Sequence, residues 1–255
     1  MAINTVKPSP KWLHHFDTID STNNYAIKLI DDGLAQHGDV VWALSQSAGK
    51  GQRGKVWETK AGENLLMTLV ITPPAALAQS PHHLNMLVAQ TIAYYFRQLN
   101  PFWQLSIKWP NDIYLNAKKT AGILIENIYR GANWSHSIVG IGVNVNQSEF
   151  PMHLHNATSL TKCSGLRYDL LELLTDIRAG ILNKLHHYNG ERFTAILDFY
   201  NQHLFAKDTI KNFQLKEGDE TFEAKVLFVD SDGFIHLETE NGILKCSSGG
   251  LIWKL

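Results

Sequence analysis

Cysteine is scarce in this chain of 255 residues: only Cys163 and Cys246 are present. They form no CxxC pair and no zinc-type spacing, which argues against a disulfide framework and favours a reducing compartment. Charge of one sign is missing as well. Lysine and arginine number 23 against 24 aspartates and glutamates, a formal net charge of -1. No global basic field therefore draws the protein to nucleic acid or a membrane, and any basic function must come from a local cluster. Long apolar runs are absent too. No stretch has transmembrane length, and the start MAINTVKPSPKWLHHF lacks the charged segment and apolar run of a secretory signal. A soluble cytoplasmic protein is expected. Histidine is plentiful, with 12 residues, and His14-His15, His82-His83 and His186-His187 are adjacent pairs, yet HExxH does not occur. Solvated or half-buried histidines are expected in preference to a metal site. No Ser-His-Asp or Cys-His arrangement is evident.

What remains is ordinary globular composition, 44% hydrophobic and 18% charged, which excludes disorder for the chain as a whole. The length suits one large domain and a small one. A short strand is expected at 12–16. The N-cap residues Asp20-Ser21-Thr22-Asn23 then introduce a helix on Tyr25, Ala26, Leu29 and Ile30, ended by Asp31-Asp32-Gly33. Buried strands are expected at 40–44 and 64–71, separated by a basic, glycine-rich loop over 45–60. Apolar residues recur at helical spacing over 82–99. Strand patterns follow at 105–108, 113–115, 122–129 and 137–145, with an antiparallel meander in part of the sheet, then helical patterns over 170–185 and 193–200. From 207 onward the pattern becomes short alternating strands at 209–215, 221–229, 234–238 and 243–246, with hairpin turn signals such as Asn241-Gly242. These patterns predict an α/β (α+β) fold: a mixed, largely antiparallel sheet with helices over residues 1–206, and a small SH3-like β-barrel over 207–255.

Four segments bear on chemistry. Ala48-Gly49-Lys50-Gly51-Gln52-Arg53-Gly54-Lys55 packs three glycines and three cations together. Glycines let successive N–H groups converge on an anion; a solvated turn is the plainer reading. It is not a Walker A loop. It fits the letters GxGxxG, but it runs on toward a strand and not into a helix, so it is not a dinucleotide fingerprint either. Trp57 follows and could pack on a nucleobase or simply in the core. In Lys108-Trp109-Pro110-Asn111-Asp112 the proline must end the strand. That string is either a plain turn or a phosphate- and metal-binding corner, with Lys118-Lys119 placing two more cations nearby. Gly140 and Gly142 share one face of an apolar strand, which suits either a close-approaching ligand or a β-bulge.

Taken in order, DSTN, QSAGKGQRGKVW, KWPNDIYL, KKTAGILIE and GIGVNVN resemble the catalytic domain of biotin–protein ligases over residues 16–146, and the tail from Lys207 resembles that family's small C-terminal domain. The resemblance implies a mixed-sheet catalytic domain that makes biotinyl-5'-AMP from biotin and ATP with Mg²⁺, then transfers biotin to a lysine of a biotin carboxyl carrier protein. It implies that Ser21, Thr22, Gln46, Gly49 and the backbone of Lys50 hold the ureido ring. Lys119 would meet the biotin carboxylate and the α-phosphate, with Lys108 and Arg53 supplying further positive charge. Gly140 and Gly142 would admit the ligand. Lys50, Gln52, Arg53, Lys55, Trp57 and Asn144 would serve ATP, and Asp112 or Asn111 would contact Mg²⁺. The family's loop usually reads GRGRRG. Here Lys50 keeps the charge but loses the bidentate fork, Gln52 loses the charge, and Lys55 is a milder change of the first kind. Some relatives carry an N-terminal helix-turn-helix and repress transcription; the catalytic pattern begins almost at the start of this chain, so no such domain is expected. Relatives that dimerise allow a homodimer. A lipoate or octanoate ligase or transferase of the same fold, and a non-catalytic biotin-binding module, are the alternatives.

Overall fold

The computed structural model describes residues 10–78 and 80–254; the side chain of Arg53 lies outside the described part. The first strand, β1 (Leu13–Ile19), runs parallel to β2 (Val40–Gln46) because α1 (Thr22–Asp31) carries the chain back across the sheet between them. Ser21 is the extended N-cap of α1, and the helix ends beside Gly33, which is left-handed at φ 70°. The next strand, β3 (Leu65–Ile71), is buried at all seven positions, as a central strand covered on both faces must be. The helix α2 (His82–Leu99) matches its apolar periodicity. Then come β4 (Leu105–Lys108), β5 (Asp112–Leu115), β6 (Lys118–Arg130) and β7 (Asn133–Val143). The seven strands lie in the order β1-β2-β3-β7-β6-β5-β4, and every pair but the first is antiparallel. The mixed, largely antiparallel sheet is thus as expected.

Three helices follow, α3 (Leu160–Ser164), α4 (Leu170–His186) and α5 (Gly190–Gln202), with side-chain caps from Ser159, Asp169 and Asn189. The C-terminal strands β8 (Ile210–Leu215), β9 (Thr221–Val229), β10 (Ile235–Thr239), β11 (Gly242–Cys246) and β12 (Leu251–Lys254) form one antiparallel sheet in the order β11-β10-β9-β8-β12.

The sheet has two unlike faces. Met67, Leu69, Val139 and Ile141 point to the face covered by α2, α4 and α5, in a core that continues into Phe213, Val226, Leu237 and Leu251 of the C-terminal sheet. Ala26, Leu29 and Ile30 of α1 pack against Val41, Val70 and Ile138 on the other face. Alternation along the strands puts Thr68, Gly140 and Gly142 on this second face, beyond the N-terminus of α1. That is where the cleft lies.

Two elements escaped the sequence patterns. One is α3, which is too short for a periodic signal. The other is β12, four residues that follow Ser247-Ser248-Gly249-Gly250. Lys118 and Lys119 belong to β6, which begins four residues before the expected strand; the turn ahead of it is Asn116-Ala117, with φ 50° and 62°.

Candidate active site

A cavity of about 370 Å³ opens on the α1 face of the sheet, within the range typical of small-molecule sites. One end is polar and buried. The N–H and hydroxyl of Thr22 both donate to Oε1 of Gln46, at 2.7 and 3.0 Å. That commits the amide oxygen and leaves the Nε2 donors of Gln46 for something else. The Thr68 hydroxyl lies 2.8 Å from Thr22 Oγ1 and 2.6 Å from Asn23 Oδ1, and Asn23 Nδ2 donates to Glu126 at 2.6 Å. Ser21 is 1% exposed and also lines the cavity. Buried polar groups are held by partners in this way because an unmet one costs about 1–3 kcal/mol.

The two strand glycines have separate occupants. A Cβ on Gly140 would lie 2.5 Å from Asn23 Oδ1; one on Gly142 would lie 2.5 Å from Cε2 of Trp57. Gly122, paired with Gly142 on β6, shares that indole, with a Cβ-to-Cζ3 distance of 2.9 Å. The pairing of β7 with β3 and β6 is unbroken at 140 and 142, and the bulge falls at Ile128/Tyr129, so the glycines serve close approach and not a bulge.

The glycine-rich loop folds over the cavity as an irregular hairpin. Lys50 bridges Val56, Trp57 N–H donates to the Gly49 carbonyl at 3.1 Å, and Gly51 N–H donates to Lys55 at 2.7 Å. Gln52–Gly54 forms one 3-10 turn, and Gly54 sits at φ 73°. Gly49 has no room for a side chain: its Cβ would meet the Trp57 carbonyl at 2.8 Å. Among the described residues the Trp57 Nε1 is buried with no hydrogen-bond partner.

The opposite end is cationic. Lys119 Nζ stands 2.7 Å from Asp112 Oδ1 and 5.2 Å from the Trp57 ring centroid. The Lys119 backbone is pinned by Asn156 and Thr158, at 2.7 and 2.9 Å. Lys108 reaches over the Trp253 ring of β12, 5.3 Å from its centroid, and Ile252 and Trp253 help wall the cavity. Asn111 is spent on structure, since its Nδ2 donates to the Ile123 carbonyl at 2.5 Å. The described residues contain no group of three or more His, Cys, Asp or Glu that could cage a metal. A cation carried in with phosphate oxygens would need only one or two carboxylates, and Asp112 fits that lesser demand.

Residues 15–144 match the Biotin/lipoate A/B protein ligase family. A Bacillus spizizenii protein, named bifunctional ligase/repressor BirA, is 33% identical over 238 residues, covering 92% of this chain and 72% of the relative. The chain belongs to the biotin/lipoate A/B protein ligase family. The Escherichia coli protein of the same name is 28% identical over 248 residues, covering 92% of this chain and 71% of its own. Among solved structures, the Aquifex aeolicus biotin protein ligase in complex with biotin and ATP superposes with a TM-score of 0.80 at 23% identity, over 96% of this chain and all of that one. That likeness concerns the fold. No helix among the described residues is long and apolar enough to cross a membrane.

Of the residues the family resemblance singled out, Ser21, Thr22, Gln46, Lys50, Gln52, Lys55, Trp57, Lys108, Asp112, Lys119, Gly140, Gly142 and Asn144 all border this one cavity. Gly49 stands just behind it, against Gln46 and Trp57. Arg53 was named on its side chain, which is outside the described residues. The sequence reading missed Asn23, Thr68, Glu126, Gly122 and Trp253. Asn23 and Gly122 stood inside quoted motifs and could have been nominated; Thr68 and Trp253 had no local signal.

Proposed function

We propose that this chain activates biotin with ATP and transfers it to a lysine of a carrier protein, as a biotin–[biotin carboxyl-carrier protein] ligase. The observation that carries the reading is the pairing, in one cavity, of a donor–acceptor cluster at Gln46 and Thr22 with a cationic end at Lys119 and Lys108. A cyclic urea offers one carbonyl acceptor and two N–H donors. Gln46 Nε2 supplies the complementary donor, and the hydroxyls of Thr22 and Ser21 supply acceptors. A flexible acyl tail then runs toward Lys119.

In the first half-reaction a biotin carboxylate oxygen attacks the α-phosphorus, a P–O bond forms, and pyrophosphate leaves. Two anions must approach, and Lys119, Lys108 and the loop N–H groups lower the cost by standing where negative charge accumulates. Mg²⁺ accompanying the triphosphate would neutralise part of its charge, and the carboxylate of Asp112, which lines the cavity, would be the residue to hold it. In the second half-reaction the acceptor lysine's neutral amine attacks the acyl carbon and AMP leaves; its surplus proton passes to solvent. No enzyme nucleophile is needed, so catalysis rests on positioning and electrostatics. The mixed anhydride must be kept from water, and the 45–60 loop is the lid suited to that task. Trp57 closes it over the glycines with an unmet donor, so leaving that position costs little beyond packing.

Biotin-dependent exchange of pyrophosphate into ATP, followed by labelling of a carrier domain, tests the reading. Exchange supported by lipoate and not by biotin would move the chain to the lipoate branch of its family. Tight biotin binding without exchange would make it a binding module.

A further inference from the structure

The C-terminal sheet touches the cleft in a second place, behind the wall that β12 provides. The β9–β10 turn, Asp230-Ser231-Asp232-Gly233, inserts between the start of α2 and the Lys108–Asp112 corner. Trp109, 2% exposed, donates from Nε1 to the Gly233 carbonyl at 3.0 Å. His82 and His83 both direct Nε2 to the Ser231 carbonyl, at 2.6 and 2.9 Å. The Ser231 carbonyl can only accept, so His83 donates from Nε2; its Nδ1 faces the Tyr188 hydroxyl at 2.5 Å, and burial pushes its pKa down, favouring the neutral ring whose Nδ1 accepts from that hydroxyl. Asn201 exchanges two hydrogen bonds with the Val229 backbone, at 2.8 and 2.7 Å. Gly233 is left-handed at φ 84°, and a Cβ there would stand 3.2 Å from the His82 Cβ. The turn thus has one seat and one shape.

The corner it meets is the one that carries Lys108 and Asp112. From inside the catalytic part, Asn85 and Tyr200 hold the Pro110 carbonyl at 2.6 and 3.0 Å, and Asn111 is tied to Ile123. The Trp109–Gly233 bond reaches this corner from the C-terminal sheet, and it lies three residues from the carboxylate that holds Lys119.

We propose that the β9–β10 turn is a positioning element of the active site: by holding Trp109 it sets Asp112, and through Asp112 the ammonium of Lys119. This rests on the ligase reading for its kinetic consequence, and on the geometry alone for the coupling. The C-terminal sheet is then a working part of the cleft as well as a wall.

The experiment uses the full chain with Trp109→Phe, which removes the Nε1 donor and keeps an aromatic ring, and Gly233→Ala, which reshapes the turn. Both should lower the maximal rate of biotin-dependent pyrophosphate exchange about tenfold while the KM for biotin moves by less than about twofold, because the ureido end is untouched. Ile243→Ser, on exposed β11, should leave the rate unchanged. In parallel, amide hydrogen exchange over residues 108–122, measured without substrates, should accelerate in both variants and not in Ile243→Ser. A lower melting temperature with wild-type rate and wild-type protection over 108–122 would overturn the proposal, since that is what a purely structural contact predicts. If the wild-type protein shows no biotin-dependent exchange, the ligase reading fails, and the protection over 108–122 still decides the coupling.

Discussion

Lys119 and Asp112 face each other across neighbouring strands with 2.7 Å between Nζ and Oδ1, and this ion pair is the electrostatic centre of the cleft. An ammonium held in this way is ready for a carboxylate or phosphate oxygen without having to be ordered first. Lys119→Ala should reduce biotin-dependent pyrophosphate exchange by about 10²–10³-fold, the usual effect of removing one group that stabilises developing charge. Binding of biotin alone should weaken less, because the Gln46–Thr22 cluster proposed for the ureido ring is untouched. Calorimetry beside the exchange assay separates the two. An exchange rate near wild type would remove Lys119 from its assigned role.

The strand glycines allow a second test. A Cβ at Gly140 would meet Asn23, and one at Gly142 would meet Trp57, both at 2.5 Å. Overpacking of this kind costs about 1–3 kcal/mol, or roughly 5- to 150-fold in an affinity that depends on the displaced group. Gly140→Val should disturb Asn23 and the Thr22–Gln46 cluster, and so weaken biotin binding. Gly142→Ala should displace Trp57 and chiefly harm the adenylation step. Equal effects of both variants on biotin affinity would show that the two glycines do not serve separate ends of the cavity.

Much of this site was legible in the sequence because family motifs fall where the chain turns over the sheet. The run Asp20-Ser21-Thr22-Asn23 announces a helix start, Pro110 announces a strand end, and the glycines announce a loop or a close approach. What each glycine approaches could not be read. Gly142 and Trp57 are far apart along the chain, and only the closure of the loop brings them together. The same holds for Thr68, an unremarked residue in an apolar strand whose facing partners come from α1. Lys119 was singled out by the family resemblance and not by its own surroundings in the chain: only the two-residue turn at Asn116-Ala117 and the strand after it show that it pairs with Asp112. The contribution of Trp253 depends on how the C-terminal sheet docks, about which local pattern is silent.

The C-terminal sheet should show its own acid sensitivity. Burial opposes the charge on Asp230, but hydrogen bonds from His236 and Lys245 and from the Phe234 N–H pull its pKa from 3.8 down to about 2. A carboxylate depressed in the folded state lends stability that is full above the unfolded value of 3.8 and is lost as pH falls through about 2. Asp230→Asn should therefore lower the melting temperature at pH 7, and the gap from wild type should shrink steadily below pH 4. A gap of constant size down to pH 2 would mean that the charge of Asp230 contributes nothing beyond its shape.

Gln52 is where the loop departs furthest from its family's usual sequence, and it borders the cavity at the start of the 3-10 turn. A neutral amide there offers an adenylate phosphate a single hydrogen bond from an uncharged donor. An arginine would add a full positive charge and a second, parallel hydrogen bond. One hydrogen bond to a charged group contributes about 1.5–3 kcal/mol. Gln52→Arg should accordingly slow escape of biotinyl-adenylate by about tenfold, and the gain should diminish as salt is raised, since the loop is near solvent. Release of radiolabelled adenylate into a trap of unlabelled ligand, followed at low and high ionic strength, measures both. If the two proteins release it at the same rate at every salt concentration, residue 52 does not address the phosphate, and retention depends on Lys50, Lys55 and the loop backbone instead.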